Sequence, residues 1–498
     1  MQSFYSNFVV KVEEPLEAQP PVGYSSGGSR SSSCPPSRLQ ADVGRGQQQR
    51  SFYHDSFWAK PRFVPPPIFR APGKRSDEAL AMDRQLRSAE TLHALMALVA
   101  PCIARFDVGN VVIALASCAR VVDERTLPTL KFGYPAFPAL QARAGESVTA
   151  LEPRGLAMLA HSAAKLGWKD IDVLTAVASC ASAKAPDLTS TDLAKICWAF
   201  SKLDVVEELP SFWRTMAESV RAKACTAKSV DLSMLAWAFG NCGQGDAGLC
   251  REMAKAALQL MSELTPQCLA NIAWAMARLA EPHEELFAAI IARSLTSIAD
   301  FVDFDVTHLC WALAKLNCAD AELFDMLADH TVNHGPLPET DSWWHASVLE
   351  PQHLANCAWA FACVEWTDPG LVGALAHACK GGKLWTFGPD EFCAIAWAFG
   401  KFRMADAEIR SDLLVISRQR CDELDNVSFV NLLTSLLTMV ESSGSTHGEA
   451  EKPDRTWRES ARPLVEQLEE SLAKRQDLTP QQMAATCRSL CRAGFQQV

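Results

Sequence analysis

Basic side chains recur at one position of a motif that repeats along this chain of 498 residues. Each stands four residues after a tryptophan, or after the residue that replaces this tryptophan in weaker copies of the motif. The basic residues are Arg120, Lys165, Lys202, Arg278, Lys315, Lys401 and Arg492, whereas Asn241, Cys363 and Thr438 stand there in three other copies. Cations at a regular spacing can neutralise successive phosphates of a nucleic acid. The expected chemistry is therefore binding rather than catalysis.

A more variable position lies three residues before the same tryptophan. It is occupied by Lys195, Met234, Asn271, His308, Asn356, Ala394 and Asn431. At about 100° per residue, positions −3, 0 and +4 of a helix lie within about 60° of one another. A cationic ladder beside varying polar side chains suits single-stranded RNA, with cations on phosphates and polar groups on bases. We therefore expect Lys195, Asn271, His308 and Asn356 to join the cations in an RNA site.

Each of these positions also has a purely structural interpretation. Lys or Arg in the last helical turn stabilises the negative end of the helix dipole by about 0.3–1 kcal/mol. A tryptophan at repeat spacing more often packs between repeats than stacks on bases, and an asparagine at −3 can bond a neighbouring turn. The RNA hypothesis depends on the coincidence of all three features.

The tryptophans define the elements that must position these side chains. Trp198, Trp237, Trp274, Trp311, Trp359 and Trp397 are separated by 37 to 39 residues, except for one spacing of 48. Ala116, His161, Thr434 and Arg488 continue the series in weaker copies. A fixed period in this range indicates stacked supersecondary units. About ten units are expected across roughly residues 80–498.

Each unit is predicted to be a helical hairpin. Proline stands eight residues before the tryptophan position in five units, where it can open a helix without losing a hydrogen bond: Pro153, Pro266, Pro351, Pro389 and Pro480. Position +1 is always Ala or Ser, which would let the next helix approach closely. Positions −5, −2, +2 and +5 form an aliphatic stripe for the partner helix. The expected fold is all-α, a right-handed α-solenoid of about ten hairpins of 37–39 residues.

Composition agrees with a large helical protein that binds no metal. The chain is 48% hydrophobic and has no apolar run long enough to span a membrane. Many cysteines occupy motif positions where other copies have Ala, which indicates small buried side chains in a reducing compartment: Cys197, Cys310, Cys357, Cys393 and Cys487. CxxC pairs are absent, and no metal or cofactor is expected.

Charge is divided unevenly between the two parts of the chain. Residues 1–17 carry a net −2 and residues 18–75 a net +7, so residues 76–498 must total −16 to reach −11 overall. An acidic solenoid is not an obvious nucleic-acid partner, so any RNA site must be a local basic stripe.

The first 75 residues are rich in Ser, Pro, Gly, Gln and Arg and are expected to be disordered. Their basic, Ser-rich stretch is similar to an organelle transit peptide, although Glu13, Glu14 and Glu17 depart from the usual lack of acidic residues. The alternative is an ordinary disordered tail.

Sequence motifs of enzymes are missing or incomplete. His330 and His334 are spaced like zinc ligands but lack the intervening Glu of a zinc protease. The glycines at 240, 243 and 245 follow a helix and not a strand, and Gly381-Gly382-Lys383 lacks the rest of a phosphate-binding loop. Catalysis and a small-molecule substrate are therefore not expected.

Three copies of the motif carry a resemblance to known families: LANIAWAMARL, LANCAWAFACV and LAKICWAFSKL. They resemble octotricopeptide repeats, the helical repeats of FAST-kinase-type leucine-rich proteins, and those of a subunit of the mitochondrial RNA-editing substrate-binding complex. FDVGNVVIALASCARV resembles the unit that opens such arrays. The resemblance implies an RNA-binding solenoid that acts with other proteins of a ribonucleoprotein complex in mitochondria, or alternatively chloroplasts, on RNA processing, stability or translation. The RAP module of many relatives is not found, so nuclease activity is not expected.

Two hypotheses remain for the function of the solenoid. One is an adaptor that reads single-stranded RNA along its inner face. The other is an armadillo-like protein scaffold without direct RNA contact, and the charge of the inner face would distinguish the two. Three insertions, at residues 131–148, 335–348 and 441–457, have the composition of loops.

Overall fold

The computed structural model of the chain describes residues 75–206, 209–333, 350–404, 406–442 and 479–492, with isolated residues between 459 and 475. The expected disordered segment, residues 1–75, lies outside this range except for Arg75. Every regular element of the described residues is helical, which confirms the all-α prediction. None of the helices is long and apolar enough to cross a membrane.

The α-helices follow one another with short connections along the described chain. In order they are α1 (Asp77–Ser88), α2 (Leu92–Cys102), α3 (Val108–Val121), α4 (Leu127–Gly133), α5 (Ala136–Ser147), α6 (Pro153–Lys165), α7 (Ile171–Ala183), α8 (Ser190–Lys202), α9 (Pro210–Lys223), α10 (Ser229–Cys242), α11 (Ala247–Gln259), α12 (Pro266–Arg278), α13 (Glu284–Leu295), α14 (Asp303–Lys315), α15 (Ala321–Asn333), α16 (Pro351–Cys363), α17 (Pro369–Cys379), α18 (Pro389–Lys401), α19 (Ala407–Arg420), α20 (Asn426–Ser442) and α21 (Pro480–Arg492).

The helices form two rows, as expected for an α-solenoid of hairpins. The motif-bearing helices α3, α6, α8, α10, α12, α14, α16, α18, α20 and α21 pack each against the next and form the first row. The helices that follow them form the second row, in which α7, α9, α11, α13, α15 and α17 pack in sequence. The motif position is therefore repeated along one continuous row of neighbouring helices.

First-row helices begin where the sequence predicts. All five prolines at position −8 are the first residue of a helix. Where Ser190 stands instead, the N-cap is the preceding Thr189, whose side chain accepts from the Asp192 backbone N–H while Asp192 bonds back to Thr189. The capping residue thus stands one position before the first helical residue.

The chain leaves most of these helices through a residue at position +6 whose backbone has the left-handed conformation. This residue is Gly167 or Gly243 in two repeats, but Asp204, Ala280, Asn317, Glu365 or Arg403 in five others, all with φ between 52° and 63°. The N–H of the next residue reaches back to a carbonyl of the last turn, as in Glu281 N to Met276 O at 3.0 Å. This is the Schellman pattern, which satisfies the final carbonyls and turns the chain into the second helix.

Small residues let the first-row helices approach closely. Position +1 is buried wherever its side chain is described, with Ala275, Ala312 and Ala360 at 0% exposure. A Cβ added to Gly240, at +3, would lie 2.8 Å from Ala275 Cα of the next repeat, so only glycine fits at that crossing. The predicted role of position +1 as a site of close helix contact is confirmed.

A short 3-10 turn and a buried apolar residue at position −10 precede most first-row helices. Basic side chains join successive turns by donating to the carbonyl at −10: Arg143 to Phe106, Lys184 to Leu151, Arg420 to Phe387, and Arg475 to Leu424. Lys223 Nζ donates to the carbonyls of Ala185, Pro186 and Leu188. These links between turns are not evident from the sequence motif.

The start of the solenoid contains helices that the repeat series does not predict. Helix α1 packs against α3, and Arg75 bridges the two by bonding Asp83 at 2.6 Å and Asp107 at 2.7 Å. Asn110 Nδ2 also donates to Asp83 Oδ1 at 2.6 Å. The insertion at 131–148 is mainly helical (α4 and α5) and not a loop. The other two insertions lie almost entirely outside the described residues.

Candidate nucleic-acid interface

Five of the six motif tryptophans are buried between repeats, whereas Trp397 is partly buried. Trp198, Trp274 and Trp311 are at most 3% exposed, and Trp237 and Trp359 at most 8%. Trp359 lies between Trp311 and Trp397, with ring centroids at 6.3 and 6.4 Å. The structural interpretation of the tryptophan is therefore correct, and the rings form an aromatic ladder inside the first row.

Cations at +4 cover this ladder at the ends of the first-row helices. Lys202 Nζ is 5.2 Å from the ring centroid of Trp198, Arg278 Cζ is 5.8 Å from that of Trp274, and Lys401 Nζ is 5.6 Å from that of Trp397. A cation over an aromatic face is attracted by the ring quadrupole, and its alkyl stem covers apolar surface. Lys401 is exposed and the other two are partly buried.

The +4 side chains of neighbouring repeats are close enough to influence one another. Burial lowers the pKa of Lys315, and the charge of Arg278 in the preceding repeat lowers it further. Burial raises the pKa of the Cys363 thiol to about 12, against the opposing effect of Lys401 and Lys315 on either side. Lys315 and Lys401, which are two repeats apart, thus both act on Cys363, which occupies +4 in the repeat between them.

The same holds at the other end of the series. Burial lowers the pKa of His161 to about 3, and the charges of Lys165, Lys195 and Lys202 act in the same direction. We call Lys165, Lys202, Arg278, Lys315 and Lys401 the basic row. Asn241 interrupts it, since its Nδ2 donates to Ser201 Oγ at 2.9 Å and joins α10 to α8.

The first member of the +4 series also makes a structural contact. Arg120 donates from Nη2 to the carbonyls of Arg87 at 3.0 Å and Ala89 at 2.7 Å, so it caps the end of α1. Its side chain is otherwise exposed, and its assignment to an RNA site stays a prediction. The side chain of Arg492 lies outside the described residues.

Position −3 is mostly interior, which corrects the expectation that it faces bases. Asn271 and Asn356 are 2% exposed and His308 is 6% exposed. Asn271 donates to Ser233 Oγ of the preceding repeat at 3.2 Å, and His308 stacks on Trp274 at 5.3 Å. Lys195 differs, since it is only partly buried and its pKa is lowered by burial despite the nearby Asp192. Of the −3 residues assigned to the site, only Lys195 can reach a ligand.

A further cation near the start of the basic row was not identified from the motif. A Cβ placed on Gly167 would lie 3.4 Å from Lys131 Nζ, so α4 reaches the end of α6, where Lys165 stands. Lys131 lies in an insertion and has no counterpart in other repeats. Periodicity therefore provides no signal for it.

The described residues offer no arrangement for metal binding, since no group of three His, Cys, Asp or Glu side chains could hold an ion. Cys197, Cys310, Cys357 and Cys393 are buried free thiols, as predicted, whereas Cys487 is exposed. Burial raises the pKa of Cys357 to about 12, which keeps that thiol protonated and unreactive at neutral pH.

Comparison with known proteins identifies the family. No curated protein matches the chain significantly. The family model described as RNA-editing substrate-binding complex 6 protein matches residues 103–407. That range is more than half of the chain and contains all members of the basic row. The chain therefore belongs to the RNA-editing substrate-binding complex 6 protein family.

Proposed function

We propose that this chain binds single-stranded RNA along the basic row and acts as a non-catalytic adaptor of an RNA-editing substrate-binding complex in the mitochondrion. The family supports a role among the proteins of such a complex. The resemblance of the repeats to octotricopeptide and FAST-kinase-type proteins agrees with an organellar setting.

The observation that carries the proposal is the recurrence of five cations at one position of the first-row helices. Lys165, Lys202, Arg278, Lys315 and Lys401 share position +4, Asn241 and Cys363 stand between them, and each first-row helix packs on the next. The tryptophan ladder orients three of them. A row of oriented cations can follow the phosphates of an extended single strand.

The test changes Lys202, Arg278, Lys315 and Lys401 together to Gln, which removes charge but keeps side-chain length over the tryptophans. We expect RNA binding to weaken at least about tenfold near 0.1 M salt. The slope of log affinity against log salt should fall by about 3, because each single-strand phosphate contact contributes about 0.7.

The matched control changes Arg214, Arg251, Lys255 and Arg418, which are exposed on second-row helices, to Gln. It alters the net charge equally and should leave RNA affinity and its salt slope nearly unchanged. Equal losses in both variants would show attraction to total charge and would refute the basic row as the site. Thermal melting of each variant checks that the fold is intact.

Binding to proteins alone is the second candidate, and one surface favours it. Glu322, Asp325 and Asp329 are exposed at helical spacing on α15, which carries no Lys or Arg. Such a face suits a basic protein partner. If the wild-type chain binds no RNA but its complex requires these carboxylates, the scaffold interpretation replaces the RNA proposal.

A further inference from the structure

Helix α4 presents an aromatic ring directly to solvent. Phe132 is 88% exposed, whereas Leu130 on the same helix is fully buried. The two residues are about 200° apart around the helix axis, so burial of Leu130 turns Phe132 outward. Tyr134 Oη, just beyond the helix, is 3.4 Å from His93 Nδ1 and ties the connection to α2. The exposure of Phe132 thus results from an anchored helix.

The position of α4 relates this ring to the basic row. Lys131, the residue next to Phe132, has its Nζ against Gly167 at the end of α6. Gly167 adopts φ of +56° two residues after Lys165, the first member of the row. The helix that carries the exposed ring therefore reaches, through Lys131, the end of α6 where the basic row begins.

The described motif positions of the basic row offer bases little exposed ring surface. Five of the six motif tryptophans are buried, Trp397 is partly buried beneath Lys401, and Asn271, His308 and Asn356 are interior. Proteins that hold single strands combine a cationic path with exposed aromatic rings, because any base can stack on such a ring. In the part of the chain that the structure describes, Phe132 is the most exposed of the large apolar side chains.

We propose that Phe132 is a base-stacking platform that receives an unpaired base of single-stranded RNA where the strand enters or leaves the basic row. The inference deepens the proposed function and rests on it. Lys131 connects the helix that carries the ring to the end of α6, and the ring supplies a contact that is independent of charge. The preferred ligand is therefore RNA that continues past Lys165 toward α4.

The test compares oligouridine of about 12 nucleotides with an abasic oligomer of the same length. Phe132→Ala should weaken binding of the uridine oligomer about 5- to 100-fold, since stacking on an aromatic side chain contributes about 1–3 kcal/mol per base. Affinity for the abasic oligomer and both salt slopes should stay as in the wild type. Phe132→Tyr should retain binding, because its ring can still stack.

Trp385→Ala provides the matched control, because Trp385 is another exposed aromatic residue, at 44%, in the turn between α17 and α18. It should bind both oligomers like the wild type. Unchanged melting of Phe132→Ala confirms that the exposed ring does not stabilise the fold.

Two results would overturn the inference. If Phe132→Ala binds both oligomers normally while the basic-row variant loses both, Phe132 is not a platform and the RNA proposal stands. If Phe132→Ala leaves RNA binding intact but abolishes capture of a partner protein, the ring is a protein contact. Absence of binding by the wild-type chain would refute the proposed function itself.

Discussion

At the residue scale, the first-row helices use a backbone conformation that most of their side chains disfavour. Five non-glycine residues at position +6 have positive φ, and two repeats use glycine instead. The conformation is imposed by the reversal from first to second helix, since the Schellman bonds require it. The repeat therefore determines the backbone more strongly than the side chain at +6 does.

Ala280→Gly should stabilise the protein by about 1 kcal/mol, because glycine adopts φ of 55° without the steric cost of a Cβ. Chemical denaturation of both proteins measures the difference in the free energy of unfolding. Gly167→Ala, at the equivalent position of an earlier repeat, should destabilise by a similar amount. A loss of stability in Ala280→Gly would contradict the argument.

A buried carboxyl gives the fold a pH dependence. Burial raises the pKa of Asp305 to about 7, and the side chain is 3% exposed. An unfolded aspartate has a pKa near about 3.9, so the folded state retains a proton that the unfolded state loses. The stabilisation from this group is full below pH about 4 and is lost as pH rises to about 7.

Asp305→Asn removes this titration and keeps an acceptor for the backbone N–H of Val302. The free energy of unfolding of the variant minus that of the wild type should be about 2 kcal/mol larger at pH 8 than at pH 5. Denaturation at the two pH values measures this gain. A difference between variant and wild type that does not change with pH would show that Asp305 titrates normally.

At the element scale, successive turns are joined by cations as well as by apolar packing. Lys223 is the last residue of α9, and its ammonium donates to three carbonyls of the turn before α8, at 2.5 to 3.1 Å. Bonds from charged donors contribute more than neutral ones, and these carbonyls have few other partners near a helix start. The contact thus couples one hairpin to the next.

Lys223→Met should destabilise the protein by about 1–3 kcal/mol, because it removes the donor but preserves the aliphatic stem. Lys228→Met, an exposed lysine five residues further along, serves as control and should be nearly neutral. Equilibrium denaturation compares the two variants. Equal stability of Lys223→Met and the wild type would show that water replaces the ammonium at no cost.

At the scale of the whole molecule, the acidic excess of the solenoid does not exclude a local line of cations. The acidic excess of the solenoid includes exposed carboxylates on second-row helices, among them Glu284 and Glu285 on α13 and Glu322 on α15. The basic row lies on the first-row helices. Negative net charge and a local cationic line are therefore compatible, because screening confines the effect of distant charges to about 10 Å near 0.1 M salt.

The sequence by itself determined the helical hairpins and their period. Proline at −8, Ala or Ser at +1 and the recurring tryptophan act through local backbone geometry or through contacts repeated in every unit, so their spacing predicts them. The structure confirms helix starts such as Pro266 and the close approach at Ala275. The recurrence of a cation at +4 of the first-row helices is evident from the sequence for the same reason.

Only the tertiary structure decided which side chains remain accessible. The angular positions of residues around one helix show that −3, 0 and +4 lie on the same side of it. Whether these residues are buried depends on how much of that side the next helix covers. Neighbouring repeats cover Asn271 and leave Lys401 exposed. Arg120 donates to carbonyls at the end of α1, and Phe132 is exposed on a helix of an insertion without a periodic counterpart. These outcomes depend on contacts between residues distant in sequence, which no repeat pattern encodes.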